Sequence, residues 1–76
     1  MEHFNIKGVR YDVIMSRTAD ETEARGHKNV AREMRRYQIT RSLHLKRPGG
    51  TVVYHVYQYA TGNLGKMTRL MRLPKS

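Results

Sequence analysis

Residues 39–60 read ITRSLHLK (Ile39 to Lys46), RPGG (Arg47 to Gly50) and TVVYHVYQYA (Thr51 to Ala60), and this stretch decides the fold. Two runs rich in β-branched and aromatic residues, alternating in polarity and separated by Pro-Gly-Gly, specify a β-hairpin. A four-residue loop over Arg47 to Gly50 pairs Lys46 with Thr51. In that register Leu45, Leu43 and Ile39 share one face with Val52, Tyr54 and Val56. His44, Ser42 and Thr40 share the other with Val53, His55, Tyr57 and Tyr59. The first face is apolar and the second aromatic and polar, so a helix covering the first leaves the second open. A one-residue slip would instead bury Tyr57 and Tyr59 and expose Tyr54, which makes the register the assumption on which every functional reading depends.

Upstream, Glu2 to Ile6 alternates, with Phe4 and Ile6 on one side, until Gly8 interrupts. Val9 to Arg17 then alternates as a strand, with Val9, Tyr11, Val13 and Met15 opposite Arg10, Asp12, Ile14 and Ser16. Gly8 marks either a tight turn between two strands or a bulge within one. Thr18-Ala19-Asp20-Glu21 fits the S/T-x-x-E capping box and starts a helix. Asp20, Glu21 and Glu23 near its start and Arg35 and Arg36 near its end suit the helix dipole, and Glu21 to Arg25 is an i,i+4 pair in the better orientation. The apolar stripe is thin: Ala24, His27, Val30 or Ala31, Met34 and Tyr37. Gly26 costs about 1 kcal/mol relative to alanine inside a helix, so it either admits close packing on the sheet or splits the helix. Beyond the hairpin, Thr61 to Gly65 has turn composition, Lys66 to Leu73 reads as a further strand, and Pro74 ends it. The expected architecture is one α+β domain over residues 1–76: a mainly antiparallel sheet of four or five strands in the order β-α-β-β-β, the first strand single or split, with one helix on one face.

At 76 residues such a domain buries roughly 60% of its unfolded surface, which leaves a small core. The absence of cysteine excludes a disulfide framework and thiol chemistry. No apolar run approaches the roughly 20 residues of a membrane-spanning helix, and MEHFNIKGVR lacks the apolar segment of a signal peptide, so the expectation is a cytoplasmic protein with no membrane partner.

Charge is the strongest compositional signal. Fifteen Lys and Arg stand against six Asp and Glu, for a net charge of +9. From Ile39 to Ser76 there are seven basic residues and no acidic one. A half-chain without carboxylates has no internal partners for its cations and presents a one-signed field to polyanions. Nucleic acid, DNA or RNA, is the expected partner, and an acidic protein surface is the alternative.

The expected nucleic-acid surface is the aromatic sheet face with the hairpin tip. Tyr57 and Tyr59, with His44 and His55 beside them, offer rings for base stacking, while Lys46, Arg47, Lys66 and Arg72 hold phosphates. Tyrosine is also an ordinary strand residue, and Lys-Arg-Pro-Gly an ordinary soluble turn. On the helix, Arg25, Lys28, Arg32 and Arg36 recur at three- and four-residue steps as a cationic ridge, suited to a phosphate backbone, to an acidic protein patch or to solvent. The reading that follows is a non-enzymatic nucleic-acid-binding module. The alternative is a small inhibitor of viral or mobile-element type that blocks an acidic or nucleic-acid-handling host protein. A third reading places metal-independent RNA cleavage at His44 and His55, expected diagonally related at roughly 7–8 Å. No HExxH, no cysteine and no glycine-rich phosphate loop is present, so neither a metal site nor a cofactor is expected.

Overall fold

The computed structural model describes residues 1–66. Seven elements follow one another: β1 (His3–Ile6), β2 (Val9–Arg17), α1 (Ala19–Ala24), α2 (Lys28–Arg36), β3 (Ile39–Lys46), β4 (Val53–Tyr59) and β5 (Leu64–Lys66). The strands form one antiparallel sheet in chain order, β1-β2-β3-β4-β5. This is the expected α+β architecture.

The first strand is split. Lys7 and Gly8 both take positive φ (52° and 79°), the conformation of a two-residue hairpin turn whose twist matches its strands, and Ile6 faces Val9 across it. The helical segment is split as well. Thr18 caps α1 through the expected box: its hydroxyl accepts from the Glu21 amide at 3.2 Å, and Glu21 Oε1 accepts from the Thr18 amide at 3.0 Å. Shortly after α1 ends, Gly26 has φ +93°, with nothing within 4 Å of where a Cβ would stand. Backbone conformation, and not close approach to the sheet, therefore explains the glycine. Two short helices replace the single expected helix. Arg35 ties them together, reaching Asp20 at 2.6 Å and Glu23 at 2.7 Å. The guanidinium is held above its ordinary pKa, by Glu23 first and then by Asp20.

The hairpin loop is longer than expected. Lys46 pairs with Val53 and not with Thr51, so residues 47–52 form a six-residue connection. A shift of two residues preserves facing, and Leu43 and Leu45 still share a side with Tyr54 and Val56, while Ser42 and His44 share the other with Tyr57 and His55. What differs is the face the helices choose. They pack on the side of Tyr57, which is 5% exposed and joins Met34 and Ile39 in a buried cluster flanked by Ala19, Tyr37 and Tyr59. Tyr57 and Tyr59 are thus core and core-flanking residues rather than open rings, and Tyr54 is 39% exposed, the outcome expected of a one-residue slip although the register moves by two and facing is unchanged.

The physical reason lies at the helix-to-strand junction. Gln38 takes φ 57°, and the β3–β4 register shifts between Ile39 and Arg41, so that Ile39 faces Tyr59. Ile39 thereby leaves the expected Leu43–Leu45 face and joins the two tyrosines under Met34. The Thr40 hydroxyl donates to the Gln58 carbonyl within this bulge at 3.1 Å. On the opposite side Leu43 and Leu45 are fully buried, next to Val13 of β2 and to Tyr54 and Val56 of β4. Tyr11 meets Tyr54 edge to face there, with centroids 5.5 Å apart. Arg41 closes that face, donating to both Glu2 oxygens (2.8 and 2.7 Å), to Ser16 Oγ and to Gln58 Oε1.

Candidate nucleic-acid groove

A second bulge builds the site. The β2–β3 register shifts between Val13 and Met15, and Ile14, the bulged residue, stands 48% exposed. An extra residue reverses which side the following side chains take. Val13 accordingly faces Leu45 on one side of the sheet, while Met15 faces His44 and Arg17 faces Ser42 on the other. Arg17 is thus brought beside the histidines.

The helix corner supplies the opposite wall. Where α1 ends and α2 begins, Thr22, Arg25, His27 and Val30 face Ser42, His44, His55 and Tyr57 across a groove of about 390 Å³, with Met15 and Arg17 at its side. His27 is the N-cap residue of α2 but makes no side-chain capping bond, which leaves its imidazole to the groove. His44 and His55 are directly opposite in the register, not diagonal. Their rings stack with centroids 4.1 Å apart and planes 24° from parallel.

Burial holds His44 below its ordinary pKa of 6.5, and the neighbouring His55 and Arg17 lower it further. Burial raises the Tyr57 phenol. The groove lining therefore combines three imidazoles with two guanidiniums and contains no carboxylate. Such a lining favours an anion: each cation lowers the potential energy of a bound phosphate, and no fixed negative charge opposes it. Among the described residues, no group of three or more His, Cys, Asp or Glu could hold a metal ion.

Of the residues expected at the nucleic-acid surface, the groove unites His44, His55 and Tyr57. Lys46 lies on the same side of β3, two residues beyond His44, opposite Asp12 of β2 and Val53 of β4. Asp12 is engaged by Arg10 at 2.8 Å. Arg47 is further along, in the loop, where its carbonyl accepts from the Gly50 amide at 2.9 Å. Tyr59 flanks the core, and Lys66 ends β5. Arg72 and the expected strand beyond Lys66 lie outside the described residues. On the helical side, Arg25 joins the groove, whereas Lys28, Arg32 and Arg36 run along the exposed surface of α2. Arg32 reaches Asn29 Oδ1 at 3.2 Å and Arg36 lies over the Tyr37 ring.

Arg17, Met15 and His27 have no place in the sequence-derived site, and His27 counts there only in the apolar stripe of the helix. The stripe itself is partly corrected: Ala31 and Met34 are buried, Tyr37 packs against the core, but Ala24, His27 and Val30 are exposed, and Thr22 takes a buried place instead. One signal of the β2 bulge was legible, namely Ile14, an apolar residue in the row otherwise made of Arg10, Asp12 and Ser16.

No protein-family model, curated protein or solved structure matches this chain.

Proposed function

We propose that the protein binds nucleic acid, with the groove between the sheet and the helix corner as the principal contact and Lys46 and Arg47 extending it towards the hairpin tip. The observation that carries this reading is the convergence of Arg17, Arg25, His27, His44 and His55 on one groove free of carboxylates, in a chain of net charge +9. Guanidiniums hold phosphate oxygens in forked geometry, and imidazoles add donors and flat faces. Tyr57 supports the floor of the groove from within the core and is not a stacking platform.

The test is fluorescence anisotropy with labelled single-stranded RNA, single-stranded DNA and duplex across a salt series. Binding should weaken as salt rises, because each neutralised phosphate releases counterion. Replacing Arg17 and Arg25 together by serine should flatten the log–log slope by about 1.4 for a single strand, at about 0.7 for each phosphate no longer neutralised. Binding that ignores salt, or a slope unchanged in the double variant, would remove the groove from the interface.

The run of Lys28, Arg32 and Arg36 on the exposed surface of α2, adjoining Arg25, supports a second reading in which this ridge docks on an acidic protein surface. Capture of one stoichiometric protein that survives nuclease treatment, and is released on charge reversal at Lys28 and Arg36, would favour it.

A further inference from the structure

We propose that the groove cleaves RNA, with His44 on the sheet wall as general base and His27 on the helix wall as general acid acting on one phosphodiester. This rests on the nucleic-acid reading and departs from the expectation of a module without catalysis. Phosphate binding alone needs only cations, and exposed arginines and lysines supply those over much of the surface. What distinguishes the groove is the set of imidazoles, placed on both of its walls. In-line displacement at phosphorus needs a proton acceptor on one side and a proton donor on the other, and the lining supplies an imidazole from the sheet and one from the helix corner for those two roles.

The surroundings assign the roles. His44 is partly buried, lies flat against His55 at 4.1 Å and has Arg17 as a neighbour. Each of these disfavours its protonated form, which suits it to accept a proton near neutrality. His27 is exposed and makes no capping bond, so in its protonated form it can deliver a proton to a leaving oxygen. The other charged and titratable groups around His44 are His55 from β4, Arg17 from β2 and Arg25 from the end of α1, with the Tyr57 phenol beside them. The guanidiniums of Arg17 and Arg25 are available to the non-bridging oxygens as charge builds on the phosphorane.

The chemistry balances without any co-reactant. His44 takes the proton of the ribose 2′-hydroxyl, O2′ forms a bond to phosphorus, and the bond from phosphorus to O5′ breaks. His27 gives its proton to O5′. The products are a 2′,3′-cyclic phosphate and a 5′-hydroxyl, and exchange with water returns each imidazole to its starting state. Because the nucleophile belongs to the substrate, DNA binds without being cut.

The test uses the full chain, in buffer containing EDTA, with a fluorescent single-stranded RNA and a copy carrying one 2′-deoxyribose. Binding and cleavage are read on the same samples. The expected result is cleavage of the RNA to cyclic phosphate ends, with no cut at the deoxy position. His44→Asn and His27→Asn should each lower the single-turnover rate at saturating protein by about 100-fold or more, a loss well beyond any weakening of binding read on the same samples, and each should remove a different limb of the pH–rate profile. His27 is exposed, so its variant reports on chemistry even if the His44 variant loses its fold. Tight binding without cleavage would overturn the catalytic proposal and leave the binding reading standing. Absence of binding would overturn both. Cleavage that persists in both variants would assign the activity to something other than this groove.

Discussion

Replacing Tyr57 with alanine tests the choice of sheet face from which the candidate site derives. The ring is 5% exposed within the Met34–Ile39 cluster. A tyrosine side chain of roughly 200 Å² at about 25 cal/mol per Å² loses about 5 kcal/mol on truncation, an upper limit because unfolded chains already bury some surface. Aromatic-to-alanine substitutions in cores cost about 3–5 kcal/mol. A domain of this length has a total stability of roughly 4–11 kcal/mol, from about 0.05–0.15 kcal/mol per residue, so the variant should lose from about a quarter to all of its stability. Tyr54 is 39% exposed on the other face, and the same area reasoning limits its alanine variant to about 3 kcal/mol. Tyr57→Phe keeps the ring and should stay within about 1 kcal/mol of the parent. The assay is thermal and urea unfolding followed by far-UV circular dichroism, in which each kcal/mol moves the midpoint by roughly 4–8 °C for a chain of this size. If Tyr57→Ala remains folded and Tyr54→Ala does not, the helices cover the Leu43–Leu45 face and the groove as described does not exist.

Other consequences follow from individual residues. A Cβ at Gly65 would stand 2.5 Å from Tyr59 Cε2, so Gly65→Ala must push the ring off β5. It should cost about 1–3 kcal/mol, and less in a Tyr59→Leu background when the four variants are compared as a double-mutant cycle. Thr18→Ala removes one half of the capping box and should cost about 1 kcal/mol, read from the urea midpoint. The Arg41 hydrogen bonds hold the Glu2 carboxyl below its ordinary value of 4.5. Their contribution is therefore present above that value and disappears as pH falls through the lower folded-state pKa; Glu2→Gln should flatten this part of the acid-unfolding curve. For His44 the sign is also positive with pH, since its folded pKa lies below 6.5 and the unfolded chain binds more protons between the two values. Stability should rise with pH through that window, and an NMR titration of the imidazole should show a depressed midpoint that climbs when an oligonucleotide binds.

Much of the site was legible one strand at a time. His44, His55 and Tyr57 share a face because a strand's side chains alternate, and an error of two residues in loop length left that intact. Arg25 was legible as part of a helical charge pattern. Arg17 was not, because its side depends on a bulge at Ile14 that alternation alone cannot locate, and one extra residue reverses everything after it. His27 was misread because Gly26 breaks the helical segment. With two helices rather than one, a position counted along a continuous buried stripe comes instead to the corner between them, where it is exposed and lines the groove.

The sequence by itself determined the α+β class, the cap at Thr18, the break at Gly8, the antiparallel hairpin and the excess of positive charge. These follow from local conformational preference, short-range periodicity and composition, which a chain carries whatever its tertiary neighbours. The tertiary structure decided which face the helices cover. Both faces of β3 and β4 can bury apolar area, and the outcome turned on the bulge that places Ile39 beside Tyr59 beneath Met34. That choice sends Tyr57 into the core and brings His27 and Arg25 over His44 and His55. The groove exists only because residues far apart in the chain are packed against one another, and no local pattern encodes that packing.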